Sequence, residues 1–261
     1  MTRYRAPIID LLGAPYPPVT DIADMASADR AKVAAATAAL EYVEDGMRLG
    51  LGTGSTAAWF VRLLGEKAQS ERLDLTCVAT SSRTADLADK LGLKTASLDS
   101  VGWLDLTVDG ADEADPQLNL IKGGGGALLQ EKIVATASDR MLVIADDTKM
   151  VPHLGAFPLP VEVVRFGWET TKAIIEDALS DIEVGGQTVT LRLSQDEPFV
   201  TDEGHYILDL HLRRIAAPQA LSVILNQVPG VVENGLFIDV ADVVALGYPS
   251  GESRLVEAEA T

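Results

Sequence analysis

Apolar and polar positions along the chain recur in two different periods, and the switches between them mark out the elements. "ADRAKVAAATAALEYV" carries its apolar residues at helical spacing and is followed by the short apolar run "MRLGLG". "STAAWFVRLLGEKA" is apolar at Ala57, Trp59, Phe60, Val61, Leu63 and Leu64, which predicts a helix with one broad buried face. "LDLTCVAT" then predicts a strand, "SSRTADLADKLG" a helix and "WLDLTV" a strand. After a run of glycines, "ALLQEKIVATASD" predicts a helix and "RMLVIAD" another strand. Strands that alternate with helices imply crossover units, hence a parallel sheet with helices on both faces.

From about Pro160 the order changes. "VEVVRFG" predicts a strand and "WETTKAIIEDAL" a helix, while "TVTLRLS" and "HYILDLHLRRI" can pair through the turn-rich "QDEPFVTDEG". "PQALSVILNQVPG" predicts a helix and "VVENGLFIDV" a last strand, which completes the order of a ferredoxin-like split unit. "ADVVALGY" offers one more strand, able to rejoin the first sheet. The expected fold class is α/β. A doubly wound, mostly parallel, Rossmann-like domain spans 28–158 and 234–250, and a ferredoxin-like α+β domain is inserted at 159–233. Residues 1–27, with prolines at 7, 15, 17 and 18, are expected to form an extended or disordered arm, and 251–261 a flexible tail.

Composition narrows the partners. The 261 residues are 47% hydrophobic and 23% charged, an ordinary globular balance. Acidic side chains outnumber basic ones by 39 to 21, for a net charge of −18. Such a field repels nucleic acid and anionic membranes, so neither is an expected partner, and an anionic ligand would need a local cluster of donors. The single cysteine, Cys77, excludes a disulfide framework and a cysteine-rich metal site, and its apolar surroundings predict a buried thiol. His153, His205 and His211 show no helical metal-ligand spacing, so no metal is expected. No apolar run is long enough to span a bilayer, and the first residues lack the continuous apolar segment of a signal peptide, so the expected compartment is the cytoplasm.

Candidate chemistry collects in loops at predicted strand ends, where open parallel sheets bind their ligands. Gly50-Leu51-Gly52-Thr53-Gly54-Ser55-Thr56 joins a strand to a helix, and amides at a helix N-terminus beside small hydroxyls suit a phosphate. A dinucleotide fingerprint is the competing reading, but Ser55 replaces its third glycine and "TSSRT" stands where an acid would bind ribose. Asp109-Gly110-Ala111-Asp112-Glu113 follows "WLDLTV" directly; it reads as an acidic turn or as catalytic carboxylates at a strand end. Lys122 precedes Gly123, Gly124, Gly125 and Gly126, a run that is entropically costly unless bare backbone is needed. Glu131 lies in the early turns of the helix that follows.

Five strings, "GLGTGSTA", "DLTVDGADEAD", "IKGGGGALLQEKI", "IADDTKMV" and "FPLPVEV", together resemble type A ribose-5-phosphate isomerase, in that family's order and spacing from about Ala28 to Tyr248. The resemblance implies a cytosolic, cofactor-independent aldose-ketose isomerase of the pentose phosphate pathway. It would interconvert ribose 5-phosphate and ribulose 5-phosphate through an enediolate, as a homo-oligomer with a dimer favoured. By the same resemblance, Glu131 is the general base, and Asp109, Asp112 and Lys122 share the catalytic centre. Substrate contacts are implied for Thr53, Gly54, Ser55, Thr56, Asp109, Gly110, Ala111, Asp112, Lys122, Gly123, Gly124, Gly125 and Lys149, with Lys32 as a further phosphate ligand. Two other readings share the sheet and the phosphate loop. A sugar-phosphate isomerase–deaminase matches the glycine run less well, and a non-enzymatic sugar-phosphate sensor has no need of Glu131.

Overall fold

The structure, a computed structural model, describes residues 25–257; the expected arm up to residue 24 lies outside the described residues. The chain begins with α1 (Ser27–Leu40), whose alanines allow close packing on its neighbours. It continues through β1 (Arg48–Leu51), α2 (Ser55–Glu71), β2 (Thr76–Ala79), α3 (Ser82–Lys90), a one-turn α4 (Leu98–Val101) and β3 (Leu106–Gly110). A hairpin of β4 (Glu113–Ala114) and β5 (Leu120–Ile121) leads into the glycine run, then α5 (Leu128–Thr136) and β6 (Met141–Asp146). The insertion runs β7 (Leu159–Val163), α6 (Trp168–Leu179), β8 (Thr188–Leu191), a short hairpin β9 (Leu193–Ser194) and β10 (Glu197–Pro198), then β11 (Tyr206–His211), α7 (Pro218–Asn226) and β12 (Val231–Asn234). The chain returns through β13 (Leu236–Phe237), β14 (Val243–Gly247) and β15 (Ser253–Glu257).

The main sheet has the order β2-β1-β3-β6-β14-β15, parallel throughout except for the last pair. Its interior strands bury almost every side chain, as a sheet covered on both faces must. Trp59, Phe60 and Leu64 of α2 pack on Leu49 and Leu51 of β1, which is the broad apolar face expected for that helix. The strand order reverses between β1 and β3, so the crevice beyond Leu51 and Gly110 is where this topology receives ligands.

The inserted sheet has the order β12-β7-β11-β8, antiparallel throughout, the arrangement of a ferredoxin-like unit. On β7, Leu159, Val161 and Val163 pack with Ile175 and Leu179 of α6 and Leu221 and Leu225 of α7. Pro160 and Glu162 alternate to the opposite face, which abuts α5 and the glycine run. The insertion therefore packs behind the glycine run and α5, which line the ligand crevice.

Three expectations need correction. The tail expected at 251–261 is ordered through its first half: Ser253–Glu257 pairs antiparallel with β14 from Val243 to Gly247. Without it β14 would be an unpaired edge, and Val256 adds a side chain to the cluster around Val244 and Leu246. Of the arm expected at 1–27, residues 25–27 are docked: Met25 is buried, and its carbonyl accepts a hydrogen bond from Arg30 Nη1 at 2.7 Å. "VVENGLFIDV" is not one strand but two, β12 and β13, in different sheets. The break falls at Gly235, which donates to Pro160 O at 2.8 Å and accepts from Lys122 N–H at 2.9 Å. A Cβ there would lie 2.4 Å from Lys122 O, so only glycine lets the two sheets meet behind Lys122.

Candidate active site

A cleft of about 480 Å³ opens at the strand-order reversal. Every residue expected to touch substrate lines it except Asp109, which lies beneath its floor: Lys32, Thr53, Gly54, Ser55, Thr56, Gly110, Ala111, Asp112, Lys122, Gly123, Gly124, Gly125, Glu131 and Lys149 are all brought together. Lys32 comes from α1 and Lys149 from a single 3-10 turn, Asp147–Lys149, after β6, so cations from two sides face an otherwise acidic molecule.

The first loop leaves β1 with Gly52 N–H bonded to Val108 O at 2.9 Å and Thr53 N–H to Asp109 Oδ1 at 3.0 Å. Gly54 caps α2 at φ 126°, a conformation that L side chains rarely adopt, and the amides of the first helical turn are left to the cleft. Ser55 and Thr56 add hydroxyls there. Thr53 does not offer its own in the same way. Its Oγ1 sits in a buried hydroxyl cluster with Thr80 at 2.8 Å, Ser81 at 2.7 Å and Thr84 at 3.1 Å, which fixes the loop from behind.

The floor is a charged triad. Lys122 Nζ lies 2.9 Å from Asp109 Oδ2 and 3.4 Å from Glu131 Oε2, and it donates to Gly110 O at 2.5 Å. All three side chains are buried; Asp109 is fully so, at 0% exposure. Asp109 Oδ1 also accepts from the Thr53 and Gly110 amides. Burial raises the Asp109 carboxyl above the usual range, partly offset by Lys122 and the two amides. Burial alone would lower Lys122, but Asp109 and Glu131 outweigh it and hold the ammonium above its ordinary value. Glu131 is pushed up to about 8, chiefly by burial, with Lys122 opposing and the carboxylates of Asp109 and Asp112 adding to it. A carboxyl poised near neutrality at the floor of a cleft is suited to take and return a proton.

The glycine run is shaped mostly by the protein itself. Gly123 has φ 100°, and a Cβ on it would meet Leu128 at 2.9 Å and Pro160 at 3.2 Å. At Gly124 a Cβ would meet the Asp112 carboxylate at 2.6 Å, where Gly124 N–H donates to Asp112 Oδ2 at 2.7 Å. Gly126 has φ 82° and faces the Phe199 ring at 2.4 Å from the Cβ position. Only Gly125 meets nothing closer than 3.5 Å, so it alone of the four is bare on the ligand's account. Sequence reasoning missed Arg192, which reaches this run from the insertion; a lone arginine at a strand end carries no signal of its own.

Cys77 is buried, as expected, and its thiol is pushed up to about 12 by burial. Among the described residues no helix is long and apolar enough to cross a membrane.

The comparisons agree with the cleft. The family model described as "Ribose 5-phosphate isomerase A (phosphoriboisomerase A)" matches residues 76–251. A relative from Jannaschia sp. (strain CCS1), "Ribose-5-phosphate isomerase A", is 66% identical over 229 residues, covering 88% of this chain and 87% of its own. A solved D-ribose-5-phosphate isomerase in complex with phospho-erythronic acid is 41% identical with a TM-score of 0.82, over 89% of this chain and 100% of that one. Ribose 5-phosphate isomerase A from Methanocaldococcus jannaschii is 35% identical with a TM-score of 0.81, over 89% and 100%. With identity this high over nearly the whole described chain, and four of the family's five strings lining one cleft, the chain belongs to the ribose 5-phosphate isomerase A family.

Proposed function

We propose that this cleft interconverts ribose 5-phosphate and ribulose 5-phosphate through an enediolate. The observation that carries the reading is the Glu131 carboxyl, buried at the cleft floor 3.4 Å from Lys122 Nζ and pushed up to about 8. In its ionised form Glu131 takes the proton from C2 of the open-chain aldose. Electrons move into the C1–C2 bond and the C1 oxygen takes on negative charge; Glu131 then returns the proton to C1 while the proton of the C2 hydroxyl passes to the C1 oxygen, which leaves a C1 hydroxyl and the C2 carbonyl of the ketose. Lys122 and the amide of Gly125 are the donors for the developing charge. Asp109, sealed beneath the floor, holds Lys122, whereas Asp112 lines the cleft and is free on one oxygen to bind sugar hydroxyls and assist ring opening.

The amides and hydroxyls at the start of α2, with Lys32 and Lys149, form the phosphate end. A relative solved in complex with phospho-erythronic acid supports a phosphorylated, sugar-derived ligand for this cleft. The direct test is turnover of ribose 5-phosphate by the purified protein before and after exhaustive dialysis against a chelator. Sustained turnover in both supports the reading; no turnover under either condition overturns it, and a loss restored by a divalent ion overturns its metal-free form. In the same assay Ser55→Asp, which sets a like charge in the phosphate cradle, should raise KM at least about tenfold, or roughly 1.4 kcal/mol of binding, with the circular dichroism spectrum unchanged. An unaltered KM would move the phosphate elsewhere.

A further inference from the structure

All three carbonyls of Gly123, Gly124 and Gly125 are held from outside the cleft by guanidinium groups. Arg192 Nη1 donates to Gly123 O at 2.8 Å and to Gly124 O at 3.3 Å. Arg83 Nη2, from α3, donates to Gly125 O at 3.3 Å. Arg192 is itself fixed: Nε and Nη2 form a fork on Asp209 of β11, at 2.9 and 2.5 Å, and its backbone is bonded to Ile207 and Phe199. Its side chain is 14% exposed and its guanidinium lies 6.0 Å from the centre of the Phe199 ring, the ring that packs on Gly126.

The peptide group is planar and trans, so the C=O of one residue and the N–H of the next point in opposite directions. For the Gly123–Gly124 peptide this is visible: the carbonyl is on Arg192, and the amide is on Asp112 at the cleft. The Gly124–Gly125 peptide has the same carbonyl partner, so its amide, Gly125 N–H, is turned the same way. The Gly123–Gly124 peptide is also pinned by the Gly126 amide on Gly123 O at 3.0 Å and by Asp112, but glycine gives the Gly124–Gly125 peptide no side-chain restraint of its own, and its carbonyl is held by Arg192. A hydrogen bond from a cation also polarises the peptide and strengthens its N–H as a donor.

We infer that Arg192, locked by Asp209, is a positioning residue of the catalytic centre: it fixes the Gly124–Gly125 peptide so that the Gly125 amide is turned toward the cleft, and so braces the oxyanion-binding edge from the inserted domain, while the Gly124 amide stays on Asp112. This rests on the isomerase reading above. It also gives the ferredoxin-like domain a part in the reaction, since Arg192 and Asp209 both belong to it.

The test is Arg192→Ala, with Asp209→Asn as a second variant that keeps the arginine but breaks its fork. For Arg192→Ala, kcat for ribose 5-phosphate should fall about 10- to 100-fold, somewhat less than loss of a whole oxyanion donor, with KM within about threefold because the phosphate end is untouched. Millimolar guanidinium should restore part of kcat in Arg192→Ala and none in the wild type. Asp209→Asn should show a smaller fall of the same kind. Amide chemical shifts of Gly124 and Gly125 should move in both variants. Unchanged shifts overturn the inference whatever the activity does. So does a loss of kcat accompanied by a comparable rise in KM and no response to guanidinium, which is the pattern of a loop that has simply come apart. If Arg192→Ala does not fold, the shift and kcat criteria are read on Asp209→Asn alone. An inactive wild-type protein whose Gly125 shift still moves overturns the isomerase reading rather than the clamp.

Discussion

Glu131→Gln should lower kcat for ribose 5-phosphate by about 10²–10⁴-fold, the usual cost of removing a general base, which is roughly 3–5 kcal/mol of barrier at ~1.4 per decade. Gln keeps the length and shape of the side chain and leaves Lys122 paired with Asp109 at 2.9 Å, so substrate binding and the fold should survive. Its effect on stability should run opposite to its effect on rate. Burial raises the folded-state Glu131 from its ordinary 4.5 to about 8, so between those values the native protein holds a proton that the unfolded chain has released. Stability therefore falls as pH rises through that window, and above about 8 the whole penalty is in place. Gln carries no such penalty. The variant should melt at or above the wild-type temperature, with the gap widening from about pH 5 to pH 8. The same shift predicts that wild-type kcat/KM rises with pH through neutrality and levels off above about 8, because the base works ionised. Asp109, Lys122 and Glu131 titrate as one cluster, so that limb belongs to the cluster rather than to one residue. A Gln variant that keeps more than about a tenth of kcat would transfer the base to Asp112. One that melts well below the wild type at every pH would mark Glu131 as a structural residue.

The elements legible in the sequence are those whose side-chain period is long enough to declare itself. The broad face of α2 and the apolar runs of β3 and β6 are of that kind, and so are the two strands flanking "QDEPFVTDEG", which pair in the structure as β8 and β11. The sheet of β4, β5 and β13 was not legible, because two-residue strands have no period. Nor was the split of "VVENGLFIDV", whose cause is Gly235 meeting the Lys122 carbonyl more than a hundred residues away. The same distinction runs through the site. The glycine run, the acidic turn and the helix-opening hydroxyls stand out in the sequence by residue type, although three of the four glycines answer to Leu128, Asp112 and Phe199 rather than to a ligand. What each one touches is set by long-range packing. Asp109 occupies an inward position on a strand buried on both faces and so meets Lys122, whereas Asp112, three residues on, has left that strand and reaches the cleft. Thr53, expected among the phosphate ligands, turns its hydroxyl into the protein because Thr80, Ser81 and Thr84 of the next crossover surround it. Arg192 and Asp209 become visible as part of the site only once the insertion is folded against the run.

Lys122→Met should be the most destabilising single change in the cleft. Met matches the length and apolar stem of lysine, so packing against Phe237, whose ring lies 5.4 Å from Nζ, is largely kept. What is lost is, among the described residues, the one cation paired with two buried carboxyls, Asp109 at 0% exposure and Glu131 at 2%. Removing one partner of a buried ion pair typically costs about 3–5 kcal/mol, because the charge left behind is uncompensated. For a chain of this size that is on the order of 10 °C in Tm. The sign of the pH dependence follows from the carboxyls. Without Lys122 the folded-state pKa values of Asp109 and Glu131 climb further, so the variant is stable only while they hold their protons and loses ground as pH rises. At acid pH the order should narrow or reverse, since the wild type then buries a lysine whose partners are neutral. Adding Asp109→Asn to Lys122→Met should recover much of the loss near neutrality. Asn can still accept from the Thr53 and Gly110 amides, and its NH2 can take the Gly110 carbonyl that Lys122 had bonded. Turnover should stay low in both variants, since the donor facing the reacting oxygens is absent. Thermal melts of the three proteins across pH give the answer. A Lys122→Met variant that loses less than about 1 kcal/mol, or whose deficit is the same at every pH, would show that Lys122 is not the counter-ion that keeps this floor assembled.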